Sequence, residues 1–443
     1  MPDSASAFAE LADYASKRIR AEEVLLLNWS GECSDFVRFN QSKVRQAGQV
    51  SDRTLSLELV RGRRHASASV TLAGDPAQDE PRVRGTIERL RAVLDEVPDD
   101  PLLLYATETR TSERRGGEAP PEKEEVVRAV EHIGANRDLV GVFAAGTIER
   151  GFASSLGSRN WHETQSFHLD WSFYLARDKA VTTSYAGLRW EPAELELRAE
   201  RAAAQLAALA RTPKKIAPGR YRVYLAPSAL EELFAILGWG GFGLRAHRSK
   251  TTPLLRMIEQ GVRLSPVVSL TENIAGGLAP DFQEEGFERP AFVELIRDGE
   301  YGDCLVSPRS AIEYGVATNG AAGFESPLSL DLAPGSLEAS GILSELGTGL
   351  YVSNLHYLNF SDRTACRTTG MTRFATFWIE KGEIVAPIEV MRFDETIYRM
   401  LGENLVGLTR ERELIFDSGT YGGRSTRTRR LPGALIDDFT FTL

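Results

Sequence analysis

ATFWIEKGEIVAPIEV, residues 375–390, sets Lys381-Gly382 between two short apolar runs. Glycine reaches positive φ at no steric cost, so a two-residue loop of this kind between apolar strands reads as a β-hairpin. Just upstream, GLYVSNLHYLNF (349–360) reads as another strand. Short strands bounded by Gly-rich loops recur in VYLAP, SPVVSLTEN, ELIRDGEYGDCLVS and GALIDDFTFTL. The order is not the strict strand–helix–strand alternation of a doubly wound sheet. It predicts an α+β fold with mixed and antiparallel sheets and packed helices.

Upstream of this block, SASAFAELADYASKRIRA places Phe8, Leu11 and Tyr14 at helical spacing, with Ser4 as N-cap. EVLLLNWS, SDFVRFNQS, KVRQAGQV, RTLSLELVRG and HASASVTL then read as an antiparallel meander of short strands. RVRGTIERLRAVLDEV is an amphipathic helix whose inner face carries Ile87, Leu90, Val93 and Leu94. Residues 109–125, the most polar and Pro/Gly-rich stretch, read as a solvated loop. A helix (EEVVRAVEHI), further strands (DLVGVFAAGTIERGFASS and WHETQSFHLDWSFYLARDKAVTTSYAG) and an Ala-, Leu-, Glu- and Arg-rich helix lead to Pro213. The composition changes there, so two domains are expected, 1–215 and 216–443.

The chain has 443 residues, 42% hydrophobic and 26% charged, which predicts packed globular structure. Its 52 basic and 62 acidic residues leave a net charge of −10. Neither nucleic acid nor an anionic membrane would find the basic footprint it needs. Cys33, Cys304 and Cys366 are too few and scattered for a disulfide framework or a CxxC metal site. The N-terminus lacks a basic start followed by an apolar run, and no apolar run approaches the roughly 18 residues that span a bilayer. A cytoplasmic protein is expected.

The short motifs are weak. GWGGFG (238–243) fits GxGxxG, but that fingerprint needs a strand before it and a helix after it, so that N–H groups meet a pyrophosphate. Here a helical pattern precedes and none follows, so a close-packed loop is expected. His162 and His168 are six residues apart on a strand, about 20 Å at roughly 3.3 Å per residue, too far to share a metal. They read as surface or inter-strand residues, and His65 and His247 as solvated. His356 and Cys366 could be a nucleophile with its base or two metal ligands, but Cys366 also fits a buried apolar position. The basic runs at Ser158–Asn160 and Gly423–Arg430 lack interleaved aromatics and read as solvated loops or contacts to an acidic partner.

A longer stretch carries more. LSELGTGLYVSNLHYLNFSDRTACRTTGMTRFATFWIEKGEIVAPIEVMRF resembles a block of the TldD/PmbA family. Glu345 to Leu350, Thr369-Gly370, Arg373, Phe377-Trp378, Glu380 and Gly382-Glu383-Ile384 are the matching positions. SDFVRFNQSKVRQAG is similar to the family's early hairpin, so the resemblance covers most of the chain. It implies a two-domain TldD/PmbA-like fold. Active TldD-type members carry HExxxH on a helix, with a later Cys completing a zinc site. Anchoring on RSKTT puts Ile236, Leu237 and Gly240 about where those residues would sit, and none of them can bind zinc or activate water. His247 falls beyond the helix, and Cys366 lies ahead of the hairpin, where the family's ligand is not expected.

The resemblance therefore implies the TldE/PmbA side of the family: a chain that binds no zinc itself and pairs with a TldD-type metallopeptidase chain that does. Substrates would be unfolded or leader peptides held in extended form. Within Leu355–Glu383, His356, Asn359, Cys366, Arg373 and Glu380 are candidate substrate or interface contacts. Two alternatives stand: a self-sufficient metallopeptidase using His356 and Cys366, and a non-enzymatic homodimeric binding or assembly protein. Family labels also invoke modulation of DNA gyrase, and the acidic balance lends direct DNA contact no support.

Overall fold

A computed structural model describes residues 3–176 and 179–443. Met1-Pro2 and the Arg177-Asp178 junction, parts of two stretches interpreted above, lie outside the described residues. The first half opens with α1 (Ser4–Ser16), then β1 (Glu23–Asn40), β2 (Lys43–Arg61) and β3 (Arg64–Thr71). α2 (Pro76–Leu94), β4 (Thr111–Gly116) and α3 (Lys123–Ile133) follow, then β5 (Asp138–Ser154), β6 (Arg159–Ala176), β7 (Lys179–Gly187) and α4 (Pro192–Leu209). The strands form one sheet in the order β3-β2-β1-β5-β6-β4, with β7 also on β6.

The five short strands expected near the start are three, and two of them are long. β1 and β2 pair continuously from Glu23 opposite Arg61 to Asn40 opposite Lys43, with a bulge at Arg38/Phe39. The break expected in β2 lies at the end of Lys43–Asp52, a run exposed on both faces, and the one in β1 at Gly31–Cys33 is bridged by its pairing to Arg53–Ser51. The expected loop at 109–125 contains β4, which pairs in parallel with Arg159–Thr164 of β6. Asp3, not Ser4, takes the N-cap position of α1, without a side-chain capping hydrogen bond. Asp75 caps α2 by accepting the Ala77 N–H at 3.0 Å, and Pro76 fits the first turn, where an N–H would lack a partner anyway. α2 buries Val83, Ile87, Leu90 and Leu94, but Val93 is 46% exposed and belongs to the outer face.

The second half contains β8 (Gly219–Leu225), α5 (Pro227–Leu237), α6 (Leu244–Arg248), α7 (Leu255–Gln260), β9 (Leu270–Glu272), β10 (Val293–Arg297), β11 (Glu300–Tyr301) and α8 (Pro308–Tyr314). It continues with β12 (Ser329–Leu332), α9 (Ile342–Leu346), β13 (Gly349–Asp362), β14 (Arg367–Glu380), β15 (Glu383–Pro387), β16 (Arg392–Thr396), β17 (Leu405–Phe416) and β18 (Thr428–Phe441). These strands build a second, mixed sheet in the order β11-β10-β9-β12-β18-β16-β14-β13-β8, with β15 on β14 and β17 on β18. The expected hairpin is present: Glu380 faces Glu383 across Lys381 (φ +52°) and Gly382 (φ +80°). Both central residues take the left-handed conformation that matches strand twist. The fold is α+β, as expected.

One apolar cluster joins α1 and α2 to the first sheet through Phe8, Leu11, Val83 and Ile87. A second lies within the later half around Leu233, Phe234, Phe242 and Phe393. The third joins the halves, setting Phe143, Phe167 and Trp171 with Tyr224, Phe377 and Leu435. Polar contacts fix the same junction. Arg114 donates to the Ile274 and Gly277 carbonyls at 3.2 and 2.7 Å, and His162 Nε2 lies 2.9 Å from the Leu278 carbonyl. No helix among the described residues is long and apolar enough to cross a membrane.

Candidate functional site

α5 ends at Leu237, and its last turns bury Leu233, Phe234 and Leu237 in the cluster of the second half, with Ile236 also buried. The GWGGFG loop then reverses the chain. Gly240 has φ +80°, and a Cβ on Gly243 would stand 2.7 Å from Cβ and Oε2 of Glu325. Glycine is required at both positions for different reasons, conformation at one and space at the other. Phe242 is fully buried between them. The loop leads into α6, a single helical turn where no helix was expected, and there is no strand before it as nucleotide binding would need.

Two distant segments hold this loop. The Arg363 guanidinium, at the tip of the β13–β14 hairpin, donates to the Thr251 carbonyl at 2.6 Å and to the Trp239 carbonyl. Glu325 is buried with φ +51°, a conformation costing about 1 kcal/mol or more outside glycine. Its carboxylate accepts the Arg245 N–H at 2.9 Å and the Ser307 N–H and hydroxyl at 2.9 and 3.0 Å. These contacts leave a cleft of about 500 Å³ lined by Trp239, Gly240, Arg245, Phe324, Arg363 and Arg427.

The residues at the positions implied for zinc do not fit it. Ile236 and Leu237 offer buried hydrocarbon, and Gly240 has no side chain. His247 is partly buried, not solvated as expected; it bonds the Tyr301 hydroxyl, and burial pushes its imidazole down to about 4. Among the described residues, no three of His, Cys, Asp or Glu come together as a metal-binding group.

A larger cavity, about 750 Å³, lies between the two sheets. Tyr224, Tyr351 and Phe377 stack along one side, with ring centroids 5.4 and 6.2 Å apart. Burial pushes the Tyr351 hydroxyl up to about 12. Most of the charges there are paired: Arg198 with Glu194 at 2.7 Å, and Arg412 with Asp331.

The five residues singled out in the sequence are strung along one hairpin and do not converge. His356 is half-buried with its ring 4.5 Å from that of Tyr357; burial and then the Arg373 charge hold its pKa low. Asn359 is exposed and accepts the neighbouring Phe360 N–H. Cys366 is completely buried in the turn after β13, and burial pushes its thiol up to about 12. Arg373 lies exposed over the Phe374 ring. Glu380 ends β14, at the far end of the strand from Cys366, where Lys214 and the Trp378 indole donate to it. His356 faces Met371, four residues, or roughly 13 Å, up the strand from the turn that holds Cys366. Zinc ligands must approach within about 2.3 Å of one ion, so this pair cannot share one.

Other histidine expectations also change. His162 and His168 are buried inside the first sheet, and burial pushes both down to about 4. His65 contacts Glu58 and Asp100 at 2.6 and 3.2 Å. In the basic run, Arg424 is not solvated: it is buried and donates to Ser34, Gly146 and Ser166 across the first sheet. Arg245 and Phe324 carried no local signal, and Arg427 belongs to the basic run expected as a solvated loop or a contact to an acidic partner; three separate segments bring them to the cleft.

Residues 218–443 match the family described as PmbA/TldA metallopeptidase C-terminal domain. TldE from Thermococcus kodakarensis is similar in structure with a TM-score of 0.79, covering 99% of this chain and 100% of that one at 15% identity. A protein from Thermotoga maritima described as a proposed modulator of a DNA gyrase gives 0.76, with 98% and 100% coverage at 14% identity. A Bacteroides thetaiotaomicron protein with a similar description gives 0.74, with 99% of both chains covered at 16% identity. At these identities the likeness is one of fold. No curated protein matches the chain.

Proposed function

This chain belongs to the TldD/PmbA metallopeptidase family, and on that premise we propose that it is a TldE/PmbA-like, non-catalytic subunit of a two-chain zinc peptidase. The observation that carries the reading is the chemistry at Ile236, Leu237 and Gly240. At the place where the family's zinc motif would fall, this chain has two buried aliphatic side chains and a glycine. Neither a metal ligand nor a general base can be recruited from them. Zinc would then come from a TldD-type partner in the cytoplasm, and this chain would help to hold an unfolded or leader peptide at the shared face. His356, Asn359, Arg373 and Glu380 along the β13–β14 hairpin are proposed contacts to peptide or partner. The buried thiol of Cys366 supports their position from within.

Reconstitution tests the reading. The chain should co-purify with a TldD-type chain, and an unstructured peptide should be cleaved by the pair but not by this chain alone. Full cleavage by this chain by itself would overturn it.

A further inference from the structure

The cleft beneath the GWGGFG loop has a charge pattern opposite to that of the whole molecule. The chain carries −10, yet Arg245, Arg363 and Arg427 line this one space. The side chains of Arg245 and Arg427 have no ion-pair or hydrogen-bond partner among the described residues. The guanidinium of Arg363 meets two carbonyl oxygens and the face of the Phe360 ring, 4.9 Å away, but no carboxylate among the described residues, so its charge is positioned but not neutralised. Glu325 is the cleft's one carboxylate, and three donors occupy it. Glu272, whose charge reaches Arg427, is itself buried against the Leu328 and Ser329 N–H groups.

Two large aromatics stand in water at the same place: Trp239 is 64% exposed and Phe324 is 91% exposed. Exposed rings beside unpaired guanidiniums are the combination that dominates recognition surfaces, because rings give rigid apolar area and arginine gives forked donors. A space of about 500 Å³ admits a few side chains, not a folded domain.

We infer that this cleft is a subsite for an acidic peptide segment, taking Asp or Glu carboxylates on Arg245 and Arg427 and an apolar side chain between Trp239 and Phe324. The inference rests on reading the chain as a peptide-handling subunit and names the class of peptide. A phosphate backbone could also meet the guanidiniums, but the negative charge of the rest of the surface opposes a long polyanion.

The test is fluorescence anisotropy on the isolated full chain with a labelled, unstructured ten-residue peptide containing three Glu around one Phe. Its Gln counterpart and a single-stranded oligonucleotide of the same charge serve as comparisons. The Glu peptide should bind at least tenfold more tightly than either, and added salt should weaken it. Arg245→Gln with Arg427→Gln, and separately Trp239→Ala, should each lower affinity about tenfold while leaving the thermal transition in place, since these side chains are partly or fully exposed. Equal binding of the Glu and Gln peptides, equal binding of the oligonucleotide, or indifference to the arginine changes overturns the inference. Because no partner is present, these outcomes are independent of whether the pair cleaves peptides.

Discussion

The two cavities differ in a way that volume alone does not reveal. The larger one, about 750 Å³ between the sheets, is walled by stacked tyrosines and by charges that mostly find one another. The smaller one, about 500 Å³, leaves two guanidiniums without partners and two rings in water. Folding satisfies polar groups wherever it can, so a cavity whose charges are paired is explained by packing. The charges left over in the smaller one are those that the proposed acidic peptide would meet.

The sharpest way to break this contrast is to remove the buried anchor of the loop that lines the smaller cleft. Phe242→Ala deletes a fully buried ring and should cost about 3–5 kcal/mol in chemical denaturation, with loss of acidic-peptide binding. A loss under 1 kcal/mol would mean that the loop is not anchored as described.

The next effect is pH-dependent and concerns the segment carrying Arg427. That segment is tied to the first sheet through Arg424, and the Arg424 charge acts on His168. Burial, then Arg424, pushes the His168 imidazole from 6.5 down to about 4. Below pH 6.5 the unfolded chain takes up this proton while the folded chain does not, so stability from this group falls from pH 6.5 to about 4. Asp170 and Glu232, raised to about 6 and about 7 by burial, act in the opposite sense over part of that range. A difference measurement isolates the histidine. His168→Gln should gain on the parent by up to about 3 kcal/mol between pH 7 and pH 4. A constant difference would show that His168 titrates normally.

Gly243→Ala sharpens the contrast by overfilling rather than emptying. Its Cβ would meet Glu325 at 2.7 Å, so a loss of about 1–3 kcal/mol is expected, together with weaker peptide binding. Unchanged melting would contradict that close contact. The smallest effect is expected in the larger cavity. Arg201→Ala, on its exposed rim, should leave acidic-peptide affinity within about twofold. An equal loss there and at Arg245 would erase the distinction between the cavities.

Legibility in the sequence followed the range of the interaction. The Lys381-Gly382 hairpin was readable because two adjacent residues carry the whole turn. Cys366 fitted the buried role open to a lone cysteine. The length of β1 and β2 was hidden because Lys43–Asp52 has no buried face, so its alternation carries no signal. β4 was hidden because its pairing comes from β6, over forty residues away, and not from its own polar composition. The cleft was hidden for the same reason: Arg245, Phe324, Arg363 and Arg427 meet only when the hairpin tip closes on the loop.

With Ile236, Leu237 and Gly240 where zinc ligands would fall, the isolated chain, purified without chelator, should show zinc far below one equivalent on metal analysis, with none retained after dialysis. About one tightly held zinc per chain would contradict a subunit with no zinc site of its own, because only a formed ligand set keeps its ion.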